Sequence, residues 1–468
     1  MKLYNTLTKQ IDEVVPINPP VVTVYTCGPT VYDYAHIGHW FNYVRMDTLI
    51  RVLKSAGFET KWVMNITDVG HLVSDADEGE DKLEKGARRE GKTAWEIAEF
   101  YTADFLEGMN TLHMLQPDNL VRATEHIPEQ IALIQTLEDK GYTYVIDDGV
   151  YYDTSKFEGY AAFARLDLDE QQAGARVLFN EQKRNMSDFA LWKFSPTDHQ
   201  RDMEWDSHWG KGFPGWHIEC SAMSMKYLGE TIDIHTGGID HIHVHHTNEI
   251  AQSEVATGKR FANLWMHSNH VSVNGEKISK SSGNGIHLRE IIAKGLSAEA
   301  VRLHVLESHY HTHSKFSWDS LQSAQNRLDH WRAVAALRWQ PQDINNGEPI
   351  SLLINTAHKA ILLQLQDNLN TPRALSMIDE LFSEIELQLL TAESVIVFDK
   401  FLDFINDTLG IDLKAGDDIN AVQRQLIDER QAVRANSDWA KSDKLRDQLA
   451  TQGIGLRDTP HGPIWFRT

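Results

Sequence analysis

Cysteine is nearly missing from this chain: 468 residues hold two, Cys27 and Cys220. That excludes a disulfide framework, and a reducing compartment would keep both as thiols. Long apolar runs are missing too. No stretch of about 18 apolar residues is available to span a bilayer, and the opening MKLYNTLTKQ lacks the apolar core of a signal peptide, so a cytoplasmic location without membrane contact is expected. Positive charge is short, with 45 Lys and Arg against 67 Asp and Glu and a net charge of −22. Indiscriminate polyanion binding is thereby disfavoured, although a local basic site is still allowed. Residues 421–468 are the exception, because eight basic residues there face six acidic ones. The length suggests about three or four domains.

What is present centres on Thr26–His39, TCGPTVYDYAHIGH. It follows the β-branched run Val21–Tyr25 and leads into Trp40–Ala56, where Val44, Leu49, Val52 and Leu53 recur at helical spacing before Gly57. The pattern is strand, turn, helix start. Such a turn at the carboxyl end of a parallel strand offers unpaired N–H groups and a positive dipole to phosphate. Glu59–Asn65 predicts the next parallel strand, and residues 75–107 long surface helices with Ala94, Ile97, Ala98, Tyr101 and Phe105 inward. From about Gln116 to Trp205 short strands and turns resemble an insertion that splits the sheet domain. The sheet pattern resumes with a helix over 215–228 and the strand Thr231–His235, followed by Thr236, Gly237, Gly238 and Asp240. A carboxylate after glycines can accept from ribose hydroxyls, although a plain turn explains GGxD about as often.

His241–Ser253 (HIHVHHTNEIAQS) predicts a helix from about His245, with His245 and Glu249 on one face. An earlier start would put His241 on that face as well. The loop Lys277–Asn284 (KISKSSGN) suits a phosphate grip. Residues 297–413 read as a helical bundle, with Thr371-Pro372 as N-cap and first helical residue of one member. Residues 428–452 read as a charged helical stretch, and LRDTPHGPIWFR as a short hairpin. His36 and His39 have a structural reading and a catalytic one, in which they hydrogen-bond an oxyanion on phosphorus. Taken alone, the two cysteines read first as buried apolar side chains, with metal ligation as the alternative.

The motifs AHIGH (35–39) and KISKS (277–281) resemble the paired HIGH and KMSKS motifs of class I aminoacyl-tRNA synthetases, with Ile278 in place of Met. TCGPTVYDYAHIGH, NITD (65–68), GWHIECSAM (215–223) and HHTNEIAQSE (245–254) are together similar to cysteinyl-tRNA synthetases. The resemblance spans nearly the whole chain.

It implies an α/β fold: a Rossmann-like parallel-sheet catalytic domain split by an insertion, then an α-helical bundle and a small mixed α/β C-terminal domain. The implied boundaries are 1–118 and 205–268 for the catalytic halves, 119–204 for the insertion and 269–310 for the KMSKS-like loop and stem-contact region. The bundle takes 311–415 and the anticodon domain 416–468. It implies one zinc per subunit on Cys27, Cys220, His245 and Glu249, with His241, His243 and His246 as rival ligands, and magnesium with ATP. The implied catalytic residues are His36, His39 and Lys280. Gly38, Gly238, Asp240, Lys277 and Lys280 would bind ATP, Thr67 and Trp216 the amino acid, and Asp458, Trp465 and Arg467 the tRNA. The implied reaction joins L-cysteine to tRNA(Cys) through cysteinyl-adenylate, by a protein expected to be a monomer. Two departures from the usual pattern stand out: HTGGIDHIHVHHTNE is richer in histidine than HGGGSDLxFPHHENE, and NITDVGHL replaces NITDIDDK.

Overall fold

The computed structural model describes all residues except 71–80, 161, 165–179, 198–199, 279–284, 343–349, 460–461 and 468, and leaves out the side chains of Lys82 and Lys277. Two compact units emerge. The first comprises Met1–Ser272, Glu276–Leu288 and Tyr310–Ser314, and the second Val273–Gly275, Arg289–His309 and Lys315–Thr468.

The first unit opens with a hairpin of β1 (Lys2–Asn5) and β2 (Gln10–Glu13). Its centre is a five-stranded, all-parallel sheet. β3 (Val21–Thr26) is flanked on one side by β4 (Glu59–Ile66) and β5 (Asn119–Arg122). On the other side lie β10 (Ile232–Gly238) and β11 (Ala262–Ser268). The strands are built from β-branched and aromatic residues that are buried on both faces, as a sheet covered by helices requires. Thr26 is in register with both Met64 and Thr236, so the ends of β3, β4 and β10 lie level. Chain order reverses between β3 and β10. A crevice at the carboxyl ends of such a pair is where open α/β sheets bind ligands.

The helix Ile37–Ser55 connects β3 to β4 and ends before Gly57, whose φ of 90° is open to glycine. The helix Ala94–Thr111 precedes β5, starts from a Thr93/Glu96 capping box, and buries the predicted stripe Ala94, Ile97, Ala98, Tyr101 and Phe105. Of the predicted surface helices over 75–107, the stretch 71–80 lies outside the described residues. After β5, the strands β6 (Thr143–Ile146), β7 (Gly149–Tyr152), β8 (Phe189–Phe194) and β9 (Gly212–Pro214) form a separate antiparallel sheet. The helix Trp216–Leu228 then returns the chain to β10.

The second unit is helical: Ala298–Leu306, Trp318–Ala335, Ile350–Gln366, Thr371–Gln388 and Ala392–Leu409, followed by Ala421–Ala435 and Trp439–Ala450. Phe382, Phe398 and Phe401 meet edge to face in its core, and Asp379 accepts from the indole of Trp331 at 2.6 Å. One detail corrects the sequence expectation and one refines it. Asn370, not Thr371, is the N-cap, accepting from the Arg373 N–H, so Pro372 falls in the first turn but not at its first position. The charged stretch is two helices, broken where Ser437 takes φ 60°. The expected terminal hairpin is present, Ile454–Thr459 against Gly462–Arg467. No helix among the described residues is long and apolar enough to cross a membrane.

Candidate functional site

The turn after β3 is held by its own histidines. His36 is the N-cap of the helix Ile37–Ser55, and its Nδ1 accepts from the Gly38 N–H at 3.1 Å. His39 Nδ1 accepts in turn from the His36 N–H at 3.1 Å, and the two rings stack with centroids 3.8 Å apart. A ring nitrogen that accepts carries no proton, so in each neutral imidazole the proton sits on Nε2. Both histidines are thereby hydrogen-bond donors at Nε2. The segment beyond the KISKS motif pairs with this turn: the Ile37 N–H donates to Ile286 O at 2.7 Å, and His36 bridges His287. A Cβ on Gly38 would lie 3.2 Å from Ile278 Cδ1, so the two motifs meet at these residues. Lys277 ends the short strand Glu276–Lys277, while Lys280 lies outside the described residues.

One residue beyond β3, Cys27 faces a buried polar cluster. Cys27, Cys220, His245 and Glu249 each offer a ligand atom within 4.8 Å of one another. Cys220 comes from the helix Trp216–Leu228, and Glu249 from the helix Thr247–Thr257. His245 lies in the π-helical turn Ile242–His246. Both His245 and the adjacent His246 reach the site from this turn. His246 belongs to a second, overlapping set with Cys27, His235 and Glu249. Its Nε2 lies 3.3 Å from Cys27 Sγ, and its Nδ1 pairs with His267 Nε2 at 2.7 Å. Of the other rivals, His243 is exposed and His241 is in neither set. The first set combines two sulfurs, an imidazole and a carboxylate, a donor set that suits zinc.

The four groups are electrostatically coupled. Burial opposes a charge on Glu249, but His235 and His245 hold its carboxyl down to about 2. Burial likewise disfavours the charged form of His245, but Glu249, 2.9 Å away, and Cys220 raise it to about 10. Burial and the neighbouring Cys220 push the Cys27 thiol up. For Cys220, burial is outweighed by the hydrogen bond from Cys27 and the field of His245, bringing it to about 7. One proton shared between two sulfurs is the natural reading.

The remaining expected residues fall in three groups. Thr67 is buried at the end of β4, and the half-buried ring of Trp216 lies 4.5 Å from that of His245. Gly238 ends β10, and a Cβ there would meet an oxygen of Asp240 at 2.4 Å, so a larger residue would displace that exposed carboxylate from its place over the backbone. In the terminal hairpin Asp458 pairs with Arg430 and Arg434, each at 2.9 Å, and Arg467 donates to the carbonyls of Asp417 and Asp418. Trp465, one of the residues expected to meet the tRNA, packs under its own hairpin. It is buried with Ile427, Leu449 and Ile454, and its backbone is held on both sides by Gln340.

Four polar residues that sequence reasoning passed over complete the site. His235 donates from Nε2 to Glu249 at 2.7 Å while stacked on Trp265. His217 faces His245, Nδ1 to Nδ1, at 2.9 Å. Asn65 and Glu219 hold Thr67. The available signal was position: His235 and Asn65 stand near strand ends beside recognised motifs, and His217 and Glu219 lie within GWHIECSAM.

Comparison with known proteins matches this geometry. Residues 13–326 match the family of tRNA synthetases class I (C), catalytic domain. Cysteine--tRNA ligase 1 of Burkholderia lata is 45% identical, with 100% of this chain and 97% of that protein covered. Cysteine--tRNA ligase of Treponema denticola is 41% identical, with 99% of each covered. Among solved structures, methionyl-tRNA synthetase of Mycobacterium tuberculosis in complex with methionyl-adenylate shares the fold, with a TM-score of 0.58 at 14% identity over 83% of this chain and 92% of that one. A leucyl enzyme of Agrobacterium radiobacter, in a ternary complex with tRNA, has a TM-score of 0.59 at 12% identity, covering 86% and 85%. A parallel sheet whose chain order reverses at β3, a histidine turn met by Ile278 of the KISKS motif, and full-length similarity at this level place the chain in the class I tRNA synthetases, as a ligase of the cysteine--tRNA ligase family.

Proposed function

We propose that the chain activates L-cysteine with ATP and magnesium to give cysteinyl-adenylate and pyrophosphate, and passes the cysteinyl group to the 2′-hydroxyl of the terminal adenosine of tRNA(Cys) in the cytoplasm. The observation that carries this reading is the meeting of the chain's only two cysteines with His245 and Glu249 at the strand ends beside the histidine turn. Cys27, Cys220, His245 and Glu249 would hold zinc. When bound, zinc supplies a position that prefers a substrate thiolate to a hydroxyl, a distinction that size alone makes poorly.

The protein's own groups account for the rest. Attack by the cysteine carboxylate on the α-phosphate needs no side-chain nucleophile, so orientation and charge neutralisation carry the rate. His36 and His39 present Nε2–H donors whose tautomers the backbone has fixed, and they would stabilise the charge that develops on the α-phosphate. Lys277 and Lys280 would take the leaving pyrophosphate, Gly38 would lie against the ATP at the turn, and Gly238 with Asp240 would receive the ribose. Thr67 and Trp216 would line the amino-acid pocket, and burial of Thr67 beside the cluster supports that role. The second unit would bind tRNA. Asp458 and Arg467 are retained for this role, whereas the buried Trp465 is not.

Cysteine-dependent ATP–pyrophosphate exchange followed by charging of tRNA(Cys) tests the reading. Both activities are expected. Exchange without charging would make the chain a cysteine ligase with another acceptor, and neither activity would overturn the assignment. Within the positive case, His39→Ala and Lys280→Ala should abolish exchange while zinc stays bound. Near-normal exchange in either variant would remove that residue from the chemistry.

A further inference from the structure

A polar chain runs beneath the sulfur pair and ties it to Thr67. The N–H of Gly28, the residue after Cys27, donates to Asn65 Oδ1 at 2.8 Å. Asn65 Nδ2 donates to Thr67 Oγ1 at 3.0 Å, and the Thr67 hydroxyl donates to Glu219 Oε2 at 3.2 Å. Glu219 is the residue before Cys220. The chain neighbours of both cysteines are therefore joined through two side chains. Asn65, Thr67 and Glu219 are all at most 2% exposed, so the links are not exchanged for water.

The chemistry fixes the direction of every bond. Turning the Asn65 amide over would set its NH2 against the Gly28 N–H, donor against donor, so the oxygen must face Gly28. Thr67 Oγ1 then receives an amide proton and gives its own to a carboxylate, which leaves one lone pair. The hydroxyl is an acceptor and nothing else. The backbone around it is equally fixed, with Thr67 N donating to Pro29 O at 3.0 Å and Val31 N donating to Thr67 O at 3.2 Å. Gly28 approaches so closely that a Cβ would fall 1.6 Å from Asn65 O. Asn65 thus touches the turn by both its side chain and its backbone.

We propose that Asn65 is a positioning residue for amino-acid binding: it holds the turn that carries Cys27 and presents the Thr67 hydroxyl as an acceptor to the substrate's ammonium group. This rests on the reading of Thr67 as a pocket residue given above. An acceptor-only oxygen selects a donor, and the ammonium is the donor that every α-amino acid carries, whereas its carboxylate would be repelled. Asn65 does not touch the substrate in this arrangement. It acts on the amine through Thr67 and on the thiol through the Cys27 turn.

The test is a mutant cycle of Asn65→Ala, Thr67→Val and the double variant, as full-length zinc-loaded protein, read by pyrophosphate exchange. The probes are the KM for L-cysteine, the KM for ATP, and inhibition by 3-mercaptopropionate, which keeps thiol and carboxylate but lacks the amine. Thr67→Val should raise the KM for cysteine by about 10- to 100-fold and leave inhibition by the analogue unchanged. Asn65→Ala should raise the cysteine KM at least as much and also weaken the analogue, with the KM for ATP unchanged. The double variant should match Asn65→Ala, because residues acting in series do not add. An unchanged cysteine KM in Asn65→Ala, multiplicative effects in the double variant, or equal weakening of the analogue by Thr67→Val would each overturn the proposal while leaving the enzyme's assignment intact. Wild-type protein with no cysteine-dependent exchange would overturn the assignment, and the proposal with it. If Asn65→Ala does not fold, Asn65→Ser carries the same cycle, since its shorter hydroxyl cannot span both partners.

Discussion

Gly38 and Ile278 lie against each other: a Cβ on the glycine would come within 3.2 Å of Ile278 Cδ1 and 2.9 Å of His36 Cε1. The glycine of one motif is thus the floor on which the hydrophobic residue of the other rests. Gly38→Ala should push His36 from its cap and lower the exchange rate by about 100-fold, the scale of a displacement near 1 Å at reacting groups. Exchange kinetics with zinc content as a control will show it, and a rate within a few-fold of wild type would mean that the contact does not set the geometry.

Zinc content should depend on both sulfurs. Cys220→Ser is expected to lose stoichiometric metal after brief chelator treatment that the wild type withstands, with far-ultraviolet circular dichroism unchanged. Full retention would contradict the proposed ligand set.

Loading the metal-free protein with zinc should release protons. At pH 7 His245 is protonated because Glu249 and Cys220 outweigh burial, and Cys27 is protonated because burial and Cys220 hold its thiol up. Against burial, Cys220 is pulled down by the hydrogen bond from Cys27 and by His245, so the two sulfurs carry about one proton between them. Ligation needs the deprotonated form of each group, so about two protons should leave per ion. Affinity should therefore rise with pH across neutrality. Titration calorimetry in buffers of different ionisation enthalpy gives the count, and zero release would refute this charge state.

His235 should tune the metal without touching it. Its Nε2 proton ties up Glu249 Oε2, leaving Oε1 toward His245. His235→Leu is expected to lower zinc affinity by about 10- to 100-fold. His235→Gln, which still offers an N–H donor, should recover part of the loss in a competition titration.

Trp465→Ala should cost about 3 kcal/mol or more in the stability of the C-terminal fold, the usual range for emptying a buried tryptophan site. It should leave pyrophosphate exchange unchanged, since the nucleotide turn and the cysteine cluster belong to the other unit. Denaturant unfolding and exchange assays separate the two effects.

The parallel sheet was legible because its strands are apolar runs next to unmistakable turn chemistry. Val21–Tyr25 before TCGPTVYDYAHIGH could be read with no partner in view, and the structure extends that strand by one residue. Ser437 breaks a helix whose charge pattern is continuous: at its positive φ the N–H groups of Ser437 and Asp438 close on Arg434 O and Val433 O, and Asp438 caps the next helix. Other features depended on neighbours far along the chain. Trp465 looks the same in sequence whether it faces solvent or Ile427, and strand alternation over six residues cannot decide between them. The shared metal cluster needed both kinds of information. The motif likeness supplied Cys27, Cys220, His245 and Glu249, but His235, 14 residues before Glu249, reaches it only because β10 lies beside the helix Thr247–Thr257.

Both cysteines are buried, at 4% and 1% exposure, and the chain has no others. To a thiol-reactive dye the folded protein is therefore a blank surface. A single cysteine introduced at an exposed position such as Leu387 or Trp439 would be the only readily labelled site. Distances between such labels could then follow the chain during tRNA binding without removing any native thiol. The same blankness makes slow reaction of the native protein with the dye a direct clock for opening of the selection site.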